Sequence, residues 1–354
     1  MSLPGGQILL PGVFGFCRGV ERALEMLEAA VNSRRSRGVR LFLLGEVIHN
    51  PWVNKYFEDK GVRILRAGHR DRPEGFITQQ DCAVIPAFGV PLIIEQRIKE
   101  IGCEIVDTTC GDVRRLWRWA SRAVADGYGV LIFGRAQHDE TVVTKSRLAA
   151  MGGKYVVAGN LDEVKAFASL VTGRISPKHF SEVFGTASTN ADSIEPFGRL
   201  AQVSQTTMLY NDTMEVRETL RQACVEKYGE AHLSDQLLLQ ETVCRATQAR
   251  QSAAVELCQK HCDLVIVVGG FSSSNTLNLY KLAAGYCPSH FIESAENIKS
   301  PDELVTYDFD VGCEAVADGW LPKRRPLRIG VLAGASSPEI VVGKVIEKLA
   351  GYLS

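Results

Sequence analysis

Three cysteines stand where a short polar or apolar segment gives way to a helix-period pattern. They are Cys17 in Gly-Phe-Cys-Arg-Gly-Val, Cys110 in Asp-Thr-Thr-Cys-Gly-Asp and Cys244 in Thr-Val-Cys-Arg-Ala-Thr. A thiolate at a helix start lies at the positive end of the helix dipole, where its pKa falls and it can bind a metal. Three such positions suit an iron–sulfur cluster with one iron open to substrate, because a fully ligated electron-transfer cluster takes four cysteines.

Two other interpretations of these cysteines stay open at this stage. Zinc held by three cysteines and a water is a competing metal site, although such sites usually contain a closely spaced pair. The three could also be structural, as we expect for Cys82, Cys103 and most of the other cysteines, since free cysteine is often buried. Four residues separate Cys258 from Cys262 on a helix end, but no second pair follows at zinc-finger spacing.

A second group of candidates consists of neutral or weakly basic donors at predicted helix starts. Backbone N–H groups and the helix dipole favour phosphate at such places, and no Gly-x-x-x-x-Gly-Lys-Ser/Thr nucleotide loop is present. Any one of these side chains could be an ordinary N-cap, but three polar residues in a row exceed what one cap requires. The candidates are His49, His138, Ser273, Ser274, Asn275 and Ser336.

One carboxylate, Glu140, stands among these turns, two residues after His138. Near a bound alcohol it could deliver protons through the hydroxyl of Thr206. The alternative is that Glu140 only complements the dipole in the first turn of a helix.

The elements that must position these residues form a weak threefold repeat. Each copy has a cysteine-capped helix, then a strand, a glycine and a polar turn leading to a second helix, then a further strand and polar turn. Alternating strands and helices predict parallel sheets covered by helices, with ligands bound beyond the carboxyl ends of the strands. We therefore predict three α/β subdomains with small parallel sheets, at residues 1–107, 108–240 and 241–354. Residues 158–200 and 290–325 carry little periodicity and are expected to be irregular or inserted.

Composition excludes several classes of function. The chain has 45% hydrophobic residues, 23% charged residues and a net charge of -1, so no broad nucleic-acid footprint is expected. Its apolar runs are too short to cross a bilayer, and the N-terminus lacks the features of a signal peptide. We expect a cytoplasmic protein with no nucleic-acid or membrane partner.

Taken together, the motifs resemble the LytB family of 4-hydroxy-3-methylbut-2-enyl diphosphate reductases, in the family's order from residue 7 to residue 349. Each motif alone is weak, but the set is highly specific. The matching segments are Gly15-Phe-Cys17-Arg-Gly-Val, Ile48-His49-Asn50, Asp107-Thr-Thr-Cys110, His138-Asp-Glu140-Thr, Gln205-Thr206-Thr207, Cys244-Arg-Ala-Thr247, Ser273-Ser274-Asn275 and Gly334-Ala-Ser336-Ser337-Pro338.

The resemblance implies a trefoil-like arrangement of the three subdomains around a central [4Fe–4S] cluster with one open iron. It implies the last step of the non-mevalonate isoprenoid pathway, in which a two-electron reduction removes an allylic hydroxyl and yields isopentenyl and dimethylallyl diphosphates. A ferredoxin- or flavodoxin-type protein would supply the electrons. The implied roles are cluster ligands for Cys17, Cys110 and Cys244, proton donor for Glu140 with Thr206 beside the substrate hydroxyl, and diphosphate binding for His49, His138, Ser273, Ser274, Asn275 and Ser336.

Three positions depart from the family's common pattern. Phe88 stands where many members have a histidine that contacts diphosphate, although a large branch of the family shares Phe-Gly there. Ser272 replaces an asparagine, and Gly111 replaces a proline that often follows the cysteine. Phe88 and Ser272 keep open the alternative of a related iron–sulfur reductase acting on another allylic alcohol. A non-catalytic iron–sulfur sensor is a further alternative, but a sensor would not need Glu140 and Thr206 together with a full diphosphate set.

Overall fold

The structure is a computed structural model that describes residues 1–309 and 311–354. Its α-helices in chain order are α1 (Arg18–Arg35), α2 (Pro51–Asp59), α3 (Leu92–Ile101), α4 (Gly111–Ala125), α5 (Asp139–Ala150), α6 (Leu161–Thr172), α7 (Phe180–Val183), α8 (Tyr210–Tyr228), α9 (Leu233–Gln236), α10 (Arg245–Cys258), α11 (Ser274–Ala284) and α12 (Glu339–Leu353). Its strands are β1 (Ser2–Leu3), β2 (Gly6–Leu9), β3 (Leu41–Leu43), β4 (Arg63–Ile64), β5 (Cys82–Ile85), β6 (Glu104–Asp107), β7 (Gly129–Phe133), β8 (Tyr155–Ala158), β9 (Leu200–Ser204), β10 (Leu237–Leu239), β11 (Leu264–Val268), β12 (Ser289–Ile292), β13 (Glu303–Asp308), β14 (Cys313–Asp318) and β15 (Leu327–Ala333). None of the helices in these residues combines the length and hydropathy that a bilayer crossing needs.

The chain divides into two compact units. The first contains residues 1–22, 48–60 and 245–354, and the second contains residues 23–47 and 61–244.

The first unit is built on a five-stranded sheet in the order β1-β2-β15-β11-β12. All its neighbours are parallel except β1 and β2. The run Leu264–Val268 is fully buried, as is typical of a parallel strand covered on both faces. Its alternate residues enter two separate cores, one containing Val342 of α12 and the other Leu257 of α10. Helices therefore cover both faces of the sheet.

The second unit contains two four-stranded parallel sheets, in the orders β4-β3-β5-β6 and β10-β9-β7-β8. In the latter, Leu131 and Phe133 pack with α6 and α8, while Val130 and Ile132 pack with α4. The predicted α/β fold with several small parallel sheets is confirmed. The trefoil-like arrangement and the subdomain boundaries stay predictions, although residues 1–107 and 108–240 each supply all four strands of one sheet.

Two segments expected to be irregular contain regular elements. Within residues 158–200, α6 begins at an Asn160 cap and ends at Gly173 in the left-handed conformation. Within residues 290–325, β13 and β14 form an antiparallel hairpin. Most residues of this hairpin are partly or fully exposed, so its apolar pattern is weak and sequence patterning alone missed it.

An ion pair between the exposed Arg40 and the buried Asp81 joins the amino ends of two neighbouring strands in the second unit. Asp81, just before β5, accepts two hydrogen bonds from the Arg40 guanidinium, both at 2.7 Å, and one from the Thr78 amide at 2.7 Å. Arg40 stands just before β3. The Arg40 guanidinium holds the pKa of Asp81 at about 2 despite the burial of the carboxyl.

We expect Asp81→Asn to lower the free energy of unfolding by about 1–2 kcal/mol at neutral pH. Because the folded-state pKa of Asp81 lies below the ordinary aspartate value of 3.8, this stabilisation is present above about pH 4 and is lost as the pH falls towards 2. Urea unfolding of the wild type and the variant over this range tests the expectation. The exposed Asp192→Asn is the control, and an equal loss at every pH would contradict the assignment to ionised Asp81.

Candidate active site

The carboxyl ends of the parallel strands carry the polar turns that the sequence singled out, as predicted. In the second unit, Cys110 follows the edge strand β6 and Cys244 follows the edge strand β10. In the first unit, the turns after β11 and β15 contain the serine-rich motifs. The predicted helix starts after Cys17, Cys110 and Cys244 are confirmed as the first residues of α1, α4 and α10.

Glu140 and Thr206 form a direct pair in the second unit. The Thr206 amide donates to Glu140 Oε1 at 2.7 Å, and the Thr206 hydroxyl donates to Glu140 Oε2 at 2.6 Å. Glu140 is 2% exposed and Thr206 is 5% exposed. A carboxyl of this kind, removed from bulk water and touching a hydroxyl, can pass a proton along a defined hydrogen bond.

Gln205 holds this pair in place, a role that sequence reasoning missed although the residue lies within a quoted motif. Its Oε1 accepts from the Arg135 amide at 3.1 Å and the Thr141 hydroxyl at 3.4 Å, and its Nε2 donates to Thr207 Oγ1 at 2.7 Å. Gly134 makes room for it, since a Cβ there would lie 2.8 Å from Gln205 Cβ. The turn after β9 is therefore tied to the start of α5.

Backbone hydrogen bonds connect both cysteines of the second unit to neighbouring turns. The Cys244 amide donates to the Thr206 carbonyl at 3.0 Å, so Thr206 contacts both Glu140 and the Cys244 backbone. Thr242 fixes the approach to Cys244, because its hydroxyl donates to the Ser204 carbonyl at 2.6 Å. The Cys110 amide donates to the Ala87 carbonyl at 2.9 Å.

His138 is the N-cap of α5, and its ring Nδ1 accepts from the Glu140 amide at 3.3 Å. It is 8% exposed. The Phe88 ring meets the His138 ring edge to face, with centroids 6.0 Å apart. Phe88 thus contributes an apolar surface where a histidine would contribute a hydrogen-bond donor.

In the first unit, the serine-rich turns after β11 and β15 meet each other. Ser273 Oγ accepts from the Thr276 amide at 3.3 Å, and the Ser336 hydroxyl donates to Ser273 Oγ at 3.4 Å. Asn275 Nδ2 donates to Thr247 Oγ1 at 3.4 Å, and its Oδ1 accepts from the Ala335 amide at 3.2 Å. Ser273, Ser274, Asn275 and Ser336 are all at most 8% exposed. The structure brings these four predicted residues together at the start of α11.

Thr276 and Ser337 also connect these turns. Sequence reasoning assigned neither a role, although Ser337 lies within a quoted motif. Thr276 is fully buried, and Ser337 donates to the Val268 carbonyl at 2.7 Å. Position 334 must be glycine, because a Cβ at Gly334 would lie 2.0 Å from Thr276 Oγ1. The polar run continuing past Asn275 was the available sequence signal.

His49 and Cys17 approach the same turns of the first unit. A Cβ at Gly270 would lie 2.4 Å from the His49 carbonyl oxygen, so the two backbones pass in contact. The Cys17 amide donates to the Ala335 carbonyl at 3.3 Å. Buried Arg250 donates to the Gly15 carbonyl at 2.7 Å and so fixes the turn before Cys17.

Most of the other cysteines differ from the three candidate ligands in the pKa of their thiols. Burial raises the pKa of Cys82, Cys224 and Cys262 to about 11 and that of Cys258 to about 12. Such thiols stay protonated and are poor metal ligands. By contrast, Cys17, Cys110 and Cys244 are only half-buried. Over residues 1–309 and 311–354, no group of three or more histidine, cysteine, aspartate or glutamate side chains has an arrangement that could hold a metal ion, and the predicted cluster ligands stay a prediction.

The family model of LytB proteins matches residues 8–350, nearly the whole chain. The chain belongs to the LytB family. Proteins named 4-hydroxy-3-methylbut-2-enyl diphosphate reductase are similar to it over most of its length. The relative from Trichormus variabilis is 33% identical over 97% of this chain and 84% of its own length. The relative from Prochlorococcus marinus strain MIT 9301 is 32% identical over 98% of this chain and 86% of its own.

Solved structures of LytB reductases share the fold. The reductase from Plasmodium falciparum superposes with a TM-score of 0.71 at 21% identity, covering 97% of this chain and 88% of that one. A second structure, described as the terminal enzyme of the non-mevalonate pathway, gives a TM-score of 0.56 at 22% identity, covering 97% and 99%. These likenesses support the mixed α/β fold of the LytB member described here.

Proposed function

We propose that this chain reduces 4-hydroxy-3-methylbut-2-enyl diphosphate to isopentenyl and dimethylallyl diphosphates. Two electrons and two protons enter, the allylic C–O bond breaks, and the oxygen leaves as water. The family membership and the names of the similar proteins support this reaction. The observation that carries the proposal is the buried Glu140–Thr206 pair. The Thr206 carbonyl also accepts a hydrogen bond from the Cys244 amide.

Cys17, Cys110 and Cys244 would hold the cluster that the reaction needs, which we propose to be [4Fe–4S] with one iron open. When bound, such a cluster supplies electrons and a Lewis-acidic iron. The chemistry of the donors fits: each thiol is half-buried, and each comes directly before a helix. Cys110 is the N-cap of α4. A ferredoxin- or flavodoxin-type electron donor and a cytoplasmic location stay predictions.

The first unit offers donors for a diphosphate. Ser273, Ser274 and Asn275 stand at the start of α11, where the helix dipole and backbone amides favour an anion. We propose that Ser336 and His49 bind the same group. In the second unit, we propose that His138 is also a diphosphate-binding residue, with the Phe88 ring beside it.

Glu140 would deliver a proton to the departing oxygen by way of Thr206. When Glu140 is protonated, the direction of the hydrogen bond between the two side chains reverses. Thr206 Oγ1 then receives the carboxyl proton while it donates its own proton to the departing oxygen. The 2.6 Å contact between Glu140 Oε2 and Thr206 Oγ1 is short enough for this transfer. Burial of both side chains limits proton exchange with bulk water.

Anaerobic purification followed by iron and sulfide analysis, EPR spectroscopy and a turnover assay tests the proposal. We expect a coloured protein that reduces the diphosphate substrate with a chemical reductant. A colourless, zinc-containing protein would refute the cluster. A complete cluster without turnover would instead favour another allylic alcohol or a sensor.

Replacement of Gly334 by alanine tests the diphosphate site. The new methyl group would crowd Thr276 Oγ1 and displace the start of α11, at a cost of about 1–3 kcal/mol. We expect the KM for the diphosphate substrate to rise about tenfold or more, with weaker inhibition by pyrophosphate. The matched control is Gly343→Ala, because a Cβ there meets nothing within 4 Å. Equal KM values for the two variants would count against the site.

A further inference from the structure

Arg70 makes an ion pair at the start of the helix that carries Glu140. Its Nη1 lies 3.3 Å from Asp139 Oδ1, and its side chain is 21% exposed. Asp139 is the first residue of α5, directly between His138 and Glu140. The pair therefore acts on the backbone of the turn from which the proposed acid projects. None of the sequence motifs predicted a role for Arg70.

The turn that carries Arg70 is itself held firmly. The Arg70 amide donates to the Arg66 carbonyl at 2.9 Å, and the Arg97 guanidinium donates to the Asp71 carbonyl. Gly45, at a φ of +116°, lies against the guanidinium, since a Cβ there would be 3.4 Å from Arg70 Nη1. The Arg70 guanidinium therefore lies beside the backbone just beyond the carboxyl end of β3.

Among the described residues, Asp139 is the carboxylate closest to the Arg70 guanidinium. Asp71 Oδ1 lies 4.0 Å from Arg70 Nε, and Asp71 is largely exposed, with a side chain 61% accessible. Arg70 Nε is buried and has no hydrogen-bond partner within the described chain. The Arg70 side chain is 21% exposed and the Asp139 side chain is 40% exposed, so the guanidinium is the more buried member of the pair and restricts the position of Asp139.

We propose that Arg70 is a positioning residue for Glu140, acting through Asp139. This inference rests on the proposed function, since it assigns Arg70 to the same acid. Movement of the first turn of α5 would change the direction of Glu140 towards Thr206 and the contact between His138 and the Glu140 amide. A small displacement of a catalytic group is enough to slow a reaction substantially.

Steady-state kinetics of the cluster-loaded enzyme with a chemical reductant provide the test. We expect Arg70→Gln to lower kcat about tenfold while the KM stays within about twofold. Arg70→Lys should recover most of kcat, because it keeps the charge opposite Asp139. The double variant Arg70→Gln/Asp139→Asn should lose no more than Arg70→Gln alone, because both changes break one contact. The exposed Arg72→Gln, two residues along, is the matched control.

Hydrogen exchange of the amides of residues 139–142 in the same samples gives a second readout. Faster exchange in Arg70→Gln than in Arg72→Gln would support the inference. An unchanged kcat with active wild type, additive losses in the double variant, or unchanged exchange would overturn it. If the wild type itself fails to turn over, the proposed function fails, and the exchange measurement still decides whether Arg70 positions this turn.

Discussion

Glu140→Gln is expected to lose activity by a factor of about 10²–10⁴, the usual contribution of a positioned proton donor. Glutamine has nearly the shape of glutamate and can still accept from the Thr206 amide, a contact of 2.7 Å in the wild type. Its amide can donate to Thr206 Oγ1 but cannot release a proton to it. We therefore expect kcat to decrease, while the cluster content and the fold stay unchanged.

The same substitution at Glu163 provides a matched control. Glu163 is also a first-turn glutamate, in α6, and it accepts from the Gly159 amide at 2.7 Å. Glu163→Gln should keep full activity, because this carboxylate only caps its helix. Stopped-flow or steady-state rates with a chemical reductant, together with iron analysis, make the comparison. Undiminished turnover by Glu140→Gln would remove Glu140 as the proton donor.

Cys110→Ser is expected to abolish or strongly destabilise the cluster. A serine hydroxyl is ionised far less readily than a thiol and is a poor ligand for iron, so one of three protein ligands would be lost. We expect iron and sulfide content to fall with the visible absorbance and the EPR signal of the reduced protein. Activity should disappear with them. The fold should persist, since serine is nearly the same shape as cysteine and the Cys110 side chain is only half-buried.

Cys287→Ser is the control, because it removes a thiol that is not proposed to bind the cluster. Cys287 is half-buried like Cys110, but burial raises its pKa and it does not precede a helix. We expect this variant to keep its cluster and its activity. A full complement of iron in Cys110→Ser would break the ligand assignment, whatever the control shows.

Local features of the chain were predictable from the sequence by itself. The starts of α1, α4 and α10 directly after three cysteines, and of α5 and α11 within the polar turns, follow from short-range patterns and capping residues. The parallel strands and the polar turns at their carboxyl ends follow from alternating strand and helix signals. The motifs together also indicated the family, because their order along the chain is specific even though each motif is weak.

Other features were decided by the tertiary structure. Sequence reasoning suggested that Glu140 works through Thr206, but the two hydrogen bonds between them span 66 positions and depend on the register of β7 and β9. The pairing of β2 with β15, the support that Gln205 gives through the space left by Gly134, and the Arg70–Asp139 contact are likewise non-local. Such contacts depend on how strands align and helices pack, whereas a short-range pattern reports only which face of an element is buried. The chemistry-bearing residues could thus be recognised from the chain alone, but their hydrogen-bond partners could be assigned only from the fold.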